Sequence, residues 1–586
     1  MELEEYWGVG PKTRATLEGS IGTEAAIAAI ESGDVRTLVD AGLEPSRATQ
    51  VLRRAQSAEG MDMLATRDAR SVYRDIIELA AEHAVNREAA GRIRTLTPLT
   101  DLDRIAERQD SVERARETWA GLDDGTREAV LEAFEAYDDV GGGELAAVET
   151  AVAIQETGAS GPAFEPILEL DGEALEDAAV ALRALGGGHV GSGADEELER
   201  LREARETVDT MSANASSLVE EFRSNGVRDT AAFQEALVEH LRSETAIDSA
   251  RIREAMATEA VDATGFVDET LRTLRRSLDE AVDERAAAVR ADLEGDVEAA
   301  GDDVERARTA VAEVARDLSL GRFADAYDLR RPEFVDGDAL AVAGARNLSL
   351  VDGGEAVQPV SYAVGDHDLG GALAGTSGDQ VTVLTGANSG GKTTLLETLC
   401  QVVILAHMGL PVPADRAQLS PCDRVVFHRR HASFNAGVLE STLQSVVPPL
   451  VSGDRTLMLV DEFEAITEPG RAADLLHGLV RLTVDEGALG TFVTHLADDL
   501  APLPEPARTD GIFAKGLTSD LQLEVDYQPR FGEVGRSTPE FIVSRLVANA
   551  DDRAEEAGFR TLARSIDTEV VQRTLSDAAW GGVEGE

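Results

Sequence analysis

The residues best suited to chemistry in this sequence form a glycine-rich loop that ends in lysine and threonine. Residues 386–393 read GANSGGKT and fit the spacing G-x-x-x-x-G-K-[ST]. An apolar run that predicts a buried strand precedes the loop, and a run that predicts the start of a helix follows it. In such a loop backbone N–H groups cradle phosphates, Lys392 reaches the β- and γ-phosphates, and the Thr393 hydroxyl ligates Mg²⁺. The motif predicts binding of ATP and Mg²⁺ by Gly386, Ala387, Asn388, Ser389, Gly390, Gly391, Lys392, Thr393 and Thr394.

Two further apolar runs end in polar residues that could serve the same site. Residues 456–460 are followed by Asp461 and Glu462, which is the pattern of a Walker B strand. Asp461 is predicted to support Mg²⁺, directly or through water, together with Thr393. Glu462 is predicted to orient or deprotonate the attacking water. The next run ends at His495, which has the spacing of a histidine that senses γ-phosphate in ABC-type ATPases, so we predict that Glu462 and His495 are catalytic.

The first sixty residues suggest chemistry of a second kind, because glycine-rich turns there precede helical patterns. Gly8 and Gly10 flank one residue, and Lys12 follows them. This segment resembles the helix-hairpin-helix module, whose backbone N–H groups approach a DNA phosphate at a helix N-terminus. We therefore predict that Gly8, Gly10 and Lys12 bind DNA. A second turn, at 41–46, has Glu44 where the pattern has glycine and is expected only to pack. The alternative is a helical bundle with a glycine-rich turn.

The elements that must position these residues divide into a helical part and a later α/β part. The stretch 167–331 contains no proline and is rich in Ala, Glu, Arg and Leu, which predicts helices. From about 266 to 320 apolar residues follow heptad spacing, which predicts one long helix in a coiled-coil arm. The helix at about 196–224 is its expected antiparallel partner. Gly295 and Gly301 weaken the long helix locally and could form a hinge.

We therefore expect a multidomain protein with an all-α N-terminal part and an α/β C-terminal part. Its predicted regions are a helix-hairpin-helix module at 1–60, a helical core and lever at 61–193 that ends in a flexible glycine-rich linker, long helices of a coiled-coil arm or clamp at 194–320, a P-loop ATPase domain of ABC type at 321–549, and a helical tail at 550–586.

The composition constrains the compartment and the class of partner. The net charge is −55, and lysine occurs only at Lys12, Lys392 and Lys515. An acidic excess with so little lysine is typical of extreme halophiles, where molar salt shortens the Debye length to about 3 Å, so the charge does not exclude DNA. The alternative is an acidic mesophilic protein. The two cysteines exclude a disulfide scaffold and a cysteine-rich zinc site. Without a transmembrane run or a signal peptide, we predict a cytoplasmic, nucleoid-associated protein with no membrane partner.

Together these motifs resemble the MutS family of DNA mismatch-repair and recombination ATPases. Four segments besides the P-loop carry the same resemblance, at 97–113, 331–338, 408–443 and 530–549. The third of them holds Ser433 and Ser441 in the region of the family's signature loop, which completes the nucleotide site of the opposite subunit. The resemblance therefore implies a homodimer joined through its ATPase domains, with Ser433 and Ser441 among the nucleotide-binding residues.

The chain also departs from the main mismatch sensors of that family. It shows no N-terminal mismatch-reading domain with the Phe-x-Glu motif, since Phe233-Gln234-Glu235 lies in a helical stretch. It also shows no small MutS-related nuclease domain at its C-terminus. These departures favour the MutS-two type or a related archaeal branch. The residue that stacks on adenine is not evident, because Gln358-Pro359 lies in the right region without an aromatic neighbour.

The predicted function is an ATP-dependent homodimeric clamp on branched, mismatched or otherwise distorted duplex DNA. ATP binding and hydrolysis would drive its closure and release during DNA repair or recombination control. An SMC-like or other ABC-type ATPase is one alternative, although the predicted coil lies upstream of the P-loop and a Leu-Ser-Gly-Gly-Gln signature is absent from the sequence. A non-catalytic DNA-binding scaffold is the other alternative, and the intact motifs argue against it.

Overall fold

A computed structural model gives the fold of the chain. It describes residues 3, 9–32, 35–56, 58–186, 190–227, 229–258, 260, 262–386, 391–430, 436–463, 469–517, 523–535, 539–550 and 553–566. The chain divides into two compact units, the first comprising residues 1–127, 160–163 and 314–586 and the second comprising residues 128–159 and 164–313. Within the described ranges, none of the helices combines the length and the apolar character that crossing a membrane requires.

The structure is mostly helical, with strands confined to the later part of the chain. The helices are α1 (Pro11–Ser20), α2 (Thr23–Ser32), α3 (Val35–Asp40), α4 (Pro45–Gln56), α5 (Ala58–Met63), α6 (Arg67–Glu82), α7 (Arg87–Thr95), α8 (Leu102–Gly121), α9 (Asp124–Val140), α10 (Gly143–Glu156), α11 (Glu165–Leu168), α12 (Gly172–Leu185), α13 (Glu196–Ala213), α14 (Ala215–Ser224), α15 (Thr230–Thr245), α16 (Ser249–Glu254), α17 (Ala263–Ala299), α18 (Gly301–Ala326), α19 (Leu348–Asp352), α20 (Lys392–His407), α21 (Ala436–Leu450), α22 (Pro469–Asp485), α23 (Pro539–Ala548) and α24 (Arg553–Ile566). The strands are β1 (Glu333–Phe334), β2 (Ala339–Ala345), β3 (Val360–Gly365), β4 (Val381–Gly386), β5 (Arg416–Leu419), β6 (Arg424–His428), β7 (Thr456–Asp461), β8 (Leu489–Val493), β9 (Ala507–Leu517) and β10 (Leu523–Phe531).

Two sheets lie in the first unit. The smaller has the order β1-β5-β2-β3, and the larger has the order β10-β9-β4-β8-β7-β6. In the larger sheet β4 pairs in parallel with both β8 and β9, β7 pairs in parallel with β8 and β6, and only the pairing of β10 with β9 is antiparallel. The carboxyl ends of β4, β7 and β8 therefore meet at one edge, which is where ligands bind in open α/β sheets.

Helices cover both faces of the larger sheet, which explains why β4 and β7 are mostly apolar. Every residue of β4 and β7 is buried. In β7, Leu457 and Leu459 belong to an apolar cluster with α6 and α20. Met458 and Val460, which point to the other face, belong to a cluster with α21 and α22. Continuous apolar runs of this kind are typical of parallel strands that are buried on two sides.

The four N-terminal helices form a small apolar core of their own. Leu17 of α1, Leu38 of α3 and Val51 of α4 are all fully buried within it. The helices also contact the rest of the unit, because Arg53 Nε donates to the Arg94 carbonyl at 2.7 Å and the Arg53 guanidinium lies 5.4 Å from the centre of the Tyr73 ring. The limits of the predicted module at 1–60 stay a prediction.

In the second unit, α13 runs antiparallel to α17. Leu198, near the start of α13, packs with Val282 and Val289 in the second half of α17. Val208, farther along α13, belongs to the cluster that contains Leu271 in the first half of α17. An ion pair of 2.6 Å between Asp195 and Arg285 adds to the contact at one end.

Two sequence predictions about the second unit were wrong in detail. The single helix expected at 266–320 is interrupted at Ala300, whose N–H closes α17 on the Asp296 carbonyl before α18 begins at Gly301. The low helix propensity of glycine accounts for a break at this place. The segment expected as a flexible linker is packed at Val190, which is buried, and at Gly191, whose N–H donates to the Ala184 carbonyl at 2.8 Å. Its residues 187–189 lie outside the described residues.

A buried histidine fixes the C-terminal end of α20 in the first unit. His407 is fully buried, with Nδ1 3.1 Å from the Leu99 carbonyl oxygen and Nε2 3.3 Å from the Cys422 backbone nitrogen. Because the Cys422 N–H must donate to Nε2, the neutral ring carries its proton on Nδ1 and donates it to Leu99. Burial lowers the pKa of His407 to about 4.

The pH dependence of stability should reveal this histidine. Its folded-state pKa lies below the ordinary value of 6.5, so protons favour the unfolded chain. The stabilisation is complete above about pH 6.5 and is lost as the pH falls towards 4. Between pH 7 and pH 5 we expect the free energy of unfolding of the wild-type chain to fall by about 2 kcal/mol. His407→Asn should be less stable at pH 7 but should not show this fall. Denaturant unfolding followed by circular dichroism measures the loss. His240→Asn, at a half-exposed position, is the control and should follow the wild-type profile; a His407→Asn profile parallel to wild type would contradict the prediction.

Candidate functional site

The two outer glycines of the P-loop occupy positions that a side chain could not share. Gly386 ends β4 with φ +133°, and a Cβ there would lie 2.2 Å from the Ile512 carbonyl oxygen. Gly391 precedes α20 with φ +70°, and a Cβ there would lie 2.8 Å from Cδ1 of Tyr527. These are backbone conformations and close approaches that only glycine accommodates without strain. The predicted residues between them, Ala387, Asn388, Ser389 and Gly390, lie outside the described residues.

Lys392 begins α20 and is 4% exposed. Its Nζ donates to the carbonyl of Gly386 at 3.0 Å, so the side chain folds back over the start of the loop. The ammonium thereby lies beside the first N–H groups of α20, where the helix dipole also favours an anion. This arrangement suits binding of a phosphate at the start of α20.

A hydrogen bond joins the start of α20 to the end of β7. Thr393 Oγ1 donates to Asp461 Oδ2 at 2.5 Å. Asp461 is 1% exposed, and its Oδ1 is buried with no hydrogen-bond partner among the described residues. Burial raises the pKa of Asp461, and the neighbouring Glu462 charge acts in the same direction. A hydroxyl beside a buried carboxylate with an unused oxygen is a donor set that Mg²⁺ prefers, so these residues fit the predicted metal site.

Glu462 and His495, predicted to be catalytic, contact each other. His495 Nε2 lies 2.7 Å from Glu462 Oε1. Glu462 adopts φ +40°, which is rare for a residue other than glycine, and its N–H donates to the Val493 carbonyl at 3.0 Å. The hydrogen bond with His495 lowers the pKa of Glu462, and the charges of Arg430 and Lys392 add to the effect against burial. The sequence did not single out Arg430, which follows β6 and forms an ion pair of 2.6 Å with Glu462 Oε2.

Several of these residues line a cleft of about 440 Å³, although Asp461, His495 and Arg430 are not among its lining residues. Lys392, Thr393, Thr394 and Glu462 form one side of it, and Leu350, Gln358 and Tyr527 are among the residues that form the other. Tyr527, in β10, supplies the aromatic ring that sequence reasoning did not find next to Gln358. Its N–H donates to Gln358 Oε1 at 3.2 Å. Only the order of the sheet could have revealed it, because β10 lies far from the P-loop in sequence.

A buried ion pair supports the strand that leads into the loop. Asp510 in β9 is fully buried, accepts a hydrogen bond from Arg508 at 3.1 Å, and accepts another from the Tyr362 hydroxyl at 2.9 Å. The Asp510 carbonyl accepts from Thr385 Oγ1 at 2.9 Å, and Gly535 N–H donates to the same Thr385 oxygen at 2.6 Å. These bonds fix β4 immediately before Gly386, and nothing in the local sequence predicted them.

Among the described residues, Ser441, Gly10 and Lys12 do not line the cleft. Ser441 is exposed in α21, and Ser433 lies outside the described residues. In the N-terminal helices, Gly10 precedes α1 in an extended conformation and Lys12 is exposed in its first turn, whereas Gly8 lies outside the described residues. Arg47, near the start of α4, lies 3.5 Å from Thr13 Oγ1, so the starts of α1 and α4 are adjacent.

Comparison with known proteins shows what this arrangement is similar to. A family model described as MutS domain V matches residues 382–464, which include the described part of the P-loop and all of β7. A DNA-binding protein MutS2 of Pyrococcus furiosus is 45% identical to this chain over 226 residues. These matches confirm the predicted resemblance to the MutS family, and the identity to a MutS2 protein agrees with the predicted MutS2 type. The mixed sheets and covering helices are consistent with a MutS domain V fold.

The matches to MutS relatives are partial. The aligned segment covers 38% of this chain and 39% of the Pyrococcus protein. An endonuclease MutS2 of Solidesulfovibrio magneticus is 30% identical over 44% of this chain and 32% of that protein. A DNA mismatch repair protein MutS of Natronomonas pharaonis is 29% identical over 49% and 33%, respectively. The chain thus spans about a third to two fifths of the length of these relatives.

Replacing Gly386 should destabilise the first unit. We expect Gly386→Ala to cost roughly 1–3 kcal/mol more than Gly354→Ala, since both positions have positive φ but only Gly386 faces a backbone oxygen. Gly354 has no atom within 4 Å of its ideal Cβ and controls for the backbone conformation. Denaturant unfolding of the two variants measures the difference. Equal midpoints would show that the contact with Ile512 does not constrain this position.

Proposed function

We propose that this chain is an ATP-dependent DNA-binding protein of the MutS type. The observation that carries the proposal is the meeting of Lys392, the Thr393–Asp461 pair and the Glu462–His495 pair at one edge of one sheet. The names of its relatives, a DNA-binding protein and a DNA mismatch repair protein, support the same class of function. In this proposal the protein acts on branched, mismatched or otherwise distorted duplex DNA in repair or recombination control.

The geometry of the cleft suits hydrolysis of ATP. The Lys392 ammonium and the first N–H groups of α20 would bind the β- and γ-phosphates. Mg²⁺ held by Thr393 and Asp461 would supply neutralisation of phosphate charge. Glu462 would orient or deprotonate the attacking water, and His495 would donate a hydrogen bond to the terminal phosphate. The Tyr527 ring offers an apolar face for the base, on the side of the cleft formed by Gln358.

The N-terminal helices are the proposed DNA contact. Lys12 lies in the exposed first turn of α1, and Arg47 brings a second basic group to the adjacent start of α4. Gly42 in the second turn adopts φ +100°, a conformation that suits a hairpin. These groups can contact phosphates of either strand without reading bases, which fits recognition by shape and backbone. At a net charge of −55 such local contacts must replace a general attraction to DNA.

The proposal includes a homodimer that closes on DNA when ATP binds. α23 exposes Ile542 and Leu546 one turn apart, with exposures of 51% and 36%, as expected for a face that a second copy covers. In the dimer Ser433 and Ser441 would reach the partner's nucleotide.

The proposal also includes the predicted layout of the chain, with regions at 1–60, 61–193, 194–320, 321–549 and 550–586 and with 194–320 as a clamp arm. It further includes the cytoplasmic, nucleoid-associated location and the halophilic origin.

The three lysines provide a matched test of ATP hydrolysis. We expect Lys392→Ala to lower the turnover of ATP by at least about 100-fold, because the ammonium stabilises the phosphates directly. Lys515→Ala removes an exposed lysine that pairs with Asp526 at 3.8 Å and does not line the cleft, and it should leave turnover within about twofold of wild type. Phosphate release is measured in molar KCl with and without four-way DNA. Wild-type turnover in Lys392→Ala would refute the site assignment.

The same set of variants tests DNA binding. We expect Lys12→Ala to weaken binding to mismatched, forked and four-way DNA by a similar factor, and to lower the slope of log affinity against log salt by about one. Lys515→Ala again serves as the control and should keep the wild-type slope. Retention of DNA on a filter, measured with and without ATP over a series of KCl concentrations, gives both quantities. An unchanged slope for Lys12→Ala would remove this residue from the DNA contact.

A further inference from the structure

Both carboxylate oxygens of Glu462 are bonded to side chains of the chain itself. His495 Nε2 holds Oε1 at 2.7 Å, and the Arg430 guanidinium holds Oε2 at 2.6 Å. The Glu462 side chain is 10% exposed, whereas Arg430 is 56% exposed. The candidate base is therefore held between two donors, one that follows β8 and one that follows β6.

This arrangement restricts how Glu462 can approach a water molecule. A carboxylate that orients or deprotonates water needs a lone pair directed at that water, and a donor on each oxygen takes up one lone pair there and fixes the orientation of the group. Glu462 cannot easily turn away, because its N–H is bonded to the Val493 carbonyl and its φ of +40° is set by the end of β7. Freeing the carboxylate therefore requires its partners to leave.

An incoming phosphate is the natural competitor for those partners. Glu462, Lys392 and Thr393 line the same cleft, so a terminal phosphate bound there lies next to the carboxylate that Arg430 holds. Arginine binds phosphate and carboxylate with the same planar fork of donors. The large exposure of Arg430 leaves its side chain room to move between the two anions.

The side chain of the neighbouring Arg429 does not have the same room to move as the side chain of Arg430. Arg429 pairs with Glu397 at 2.9 Å, and its backbone N–H donates to Asp68 Oδ2 at 2.8 Å. Its side chain is 33% exposed and lies against the Phe427 ring. Arg429 is thus fixed in the body of the unit, whereas Arg430, which follows β6, is 56% exposed and pairs with Glu462, a residue that lines the cleft.

We propose that Arg430 is a positioning residue that exchanges anions: it holds Glu462 in the nucleotide-free chain and transfers to the terminal phosphate when ATP binds, which releases Glu462 towards water. The inference rests on the proposed ATPase function and deepens it. Release of Glu462 then depends on the γ-phosphate of ATP, so Arg430 stays paired with Glu462 when ADP is bound. The chain would then distinguish ATP from ADP through Arg430 as well as through His495.

A double-mutant cycle on nucleotide affinity tests the exchange. The measured quantity is the ratio of the affinity for the β,γ-imido analogue of ATP to the affinity for ADP, obtained by calorimetry with Mg²⁺ in molar KCl. Glu462→Gln weakens the ion pair that Arg430 must leave, so we expect this ratio to rise about 10-fold, as for loss of one charge-assisted hydrogen bond. In Arg430→Ala/Glu462→Gln the ratio should stay within about twofold of that in Arg430→Ala, because no pair remains to be broken.

The same cycle separates the exchange from simpler explanations. Relief of repulsion between Glu462 and the phosphate would raise the ratio equally with and without Arg430, and that result would overturn the proposal. An unchanged ratio in Glu462→Gln would also overturn it. If the wild-type chain bound neither nucleotide, the proposed function itself would fail, which is a different outcome from binding both without coupling.

A matched arginine controls for loss of a surface ion pair. Arg455 is 54% exposed and pairs with Asp423 at 3.4 Å, and it does not line the cleft. In Arg455→Ala/Glu462→Gln we expect the 10-fold rise of Glu462→Gln to persist in full. A loss of that rise in the control, whose arginine precedes β7 at the opposite end of the strand from Glu462, would show that removing any exposed arginine abolishes the effect, and the assignment to Arg430 would be wrong.

Discussion

The hydrogen bond between Thr393 and Asp461 is the contact on which the candidate site depends. It joins the first turn of α20 to the end of β7, and it can form only because β4 and β7 run parallel and end at the same edge of the sheet. A buried carboxylate with an unused oxygen is costly to the fold. Proteins retain such groups where function requires them, so the cost itself marks the edge as a site.

The surroundings of that bond show how the fold sustains it. The apolar clusters on the two faces of the sheet hold β4 and β7 in register, and the buried pair of Arg508 and Asp510 holds the strand next to them. Glu462 continues directly from Asp461 and reaches His495 because β7 and β8 are neighbours. The polar groups therefore owe their geometry to backbone pairing and apolar packing more than to one another.

The parts of the site that could be predicted from sequence are those with local physical causes. A glycine-rich loop between a strand and a helix, and acids after a fully apolar strand, are features of single segments, and the structure places Lys392, Asp461 and His495 at one edge. Tyr527 and Arg430 could not be predicted in the same way, because their positions follow from the order of strands in the sheet. The break in the long helix could not be predicted from apolar spacing. The heptad pattern continues across Ala300, although α17 ends at Ala299 and α18 begins at Gly301.

α20 is anchored at both ends by polar contacts that lie outside the helix. Its first turn is tied to Asp461, and its last residue, His407, is tied to Leu99 and Cys422. Sixteen residues of helix make a rod of about 24 Å that neither stretches nor bends easily. A rigid α20 therefore links the position of Asp461, at the edge of the sheet, to the position of Leu99, three residues before α8 begins.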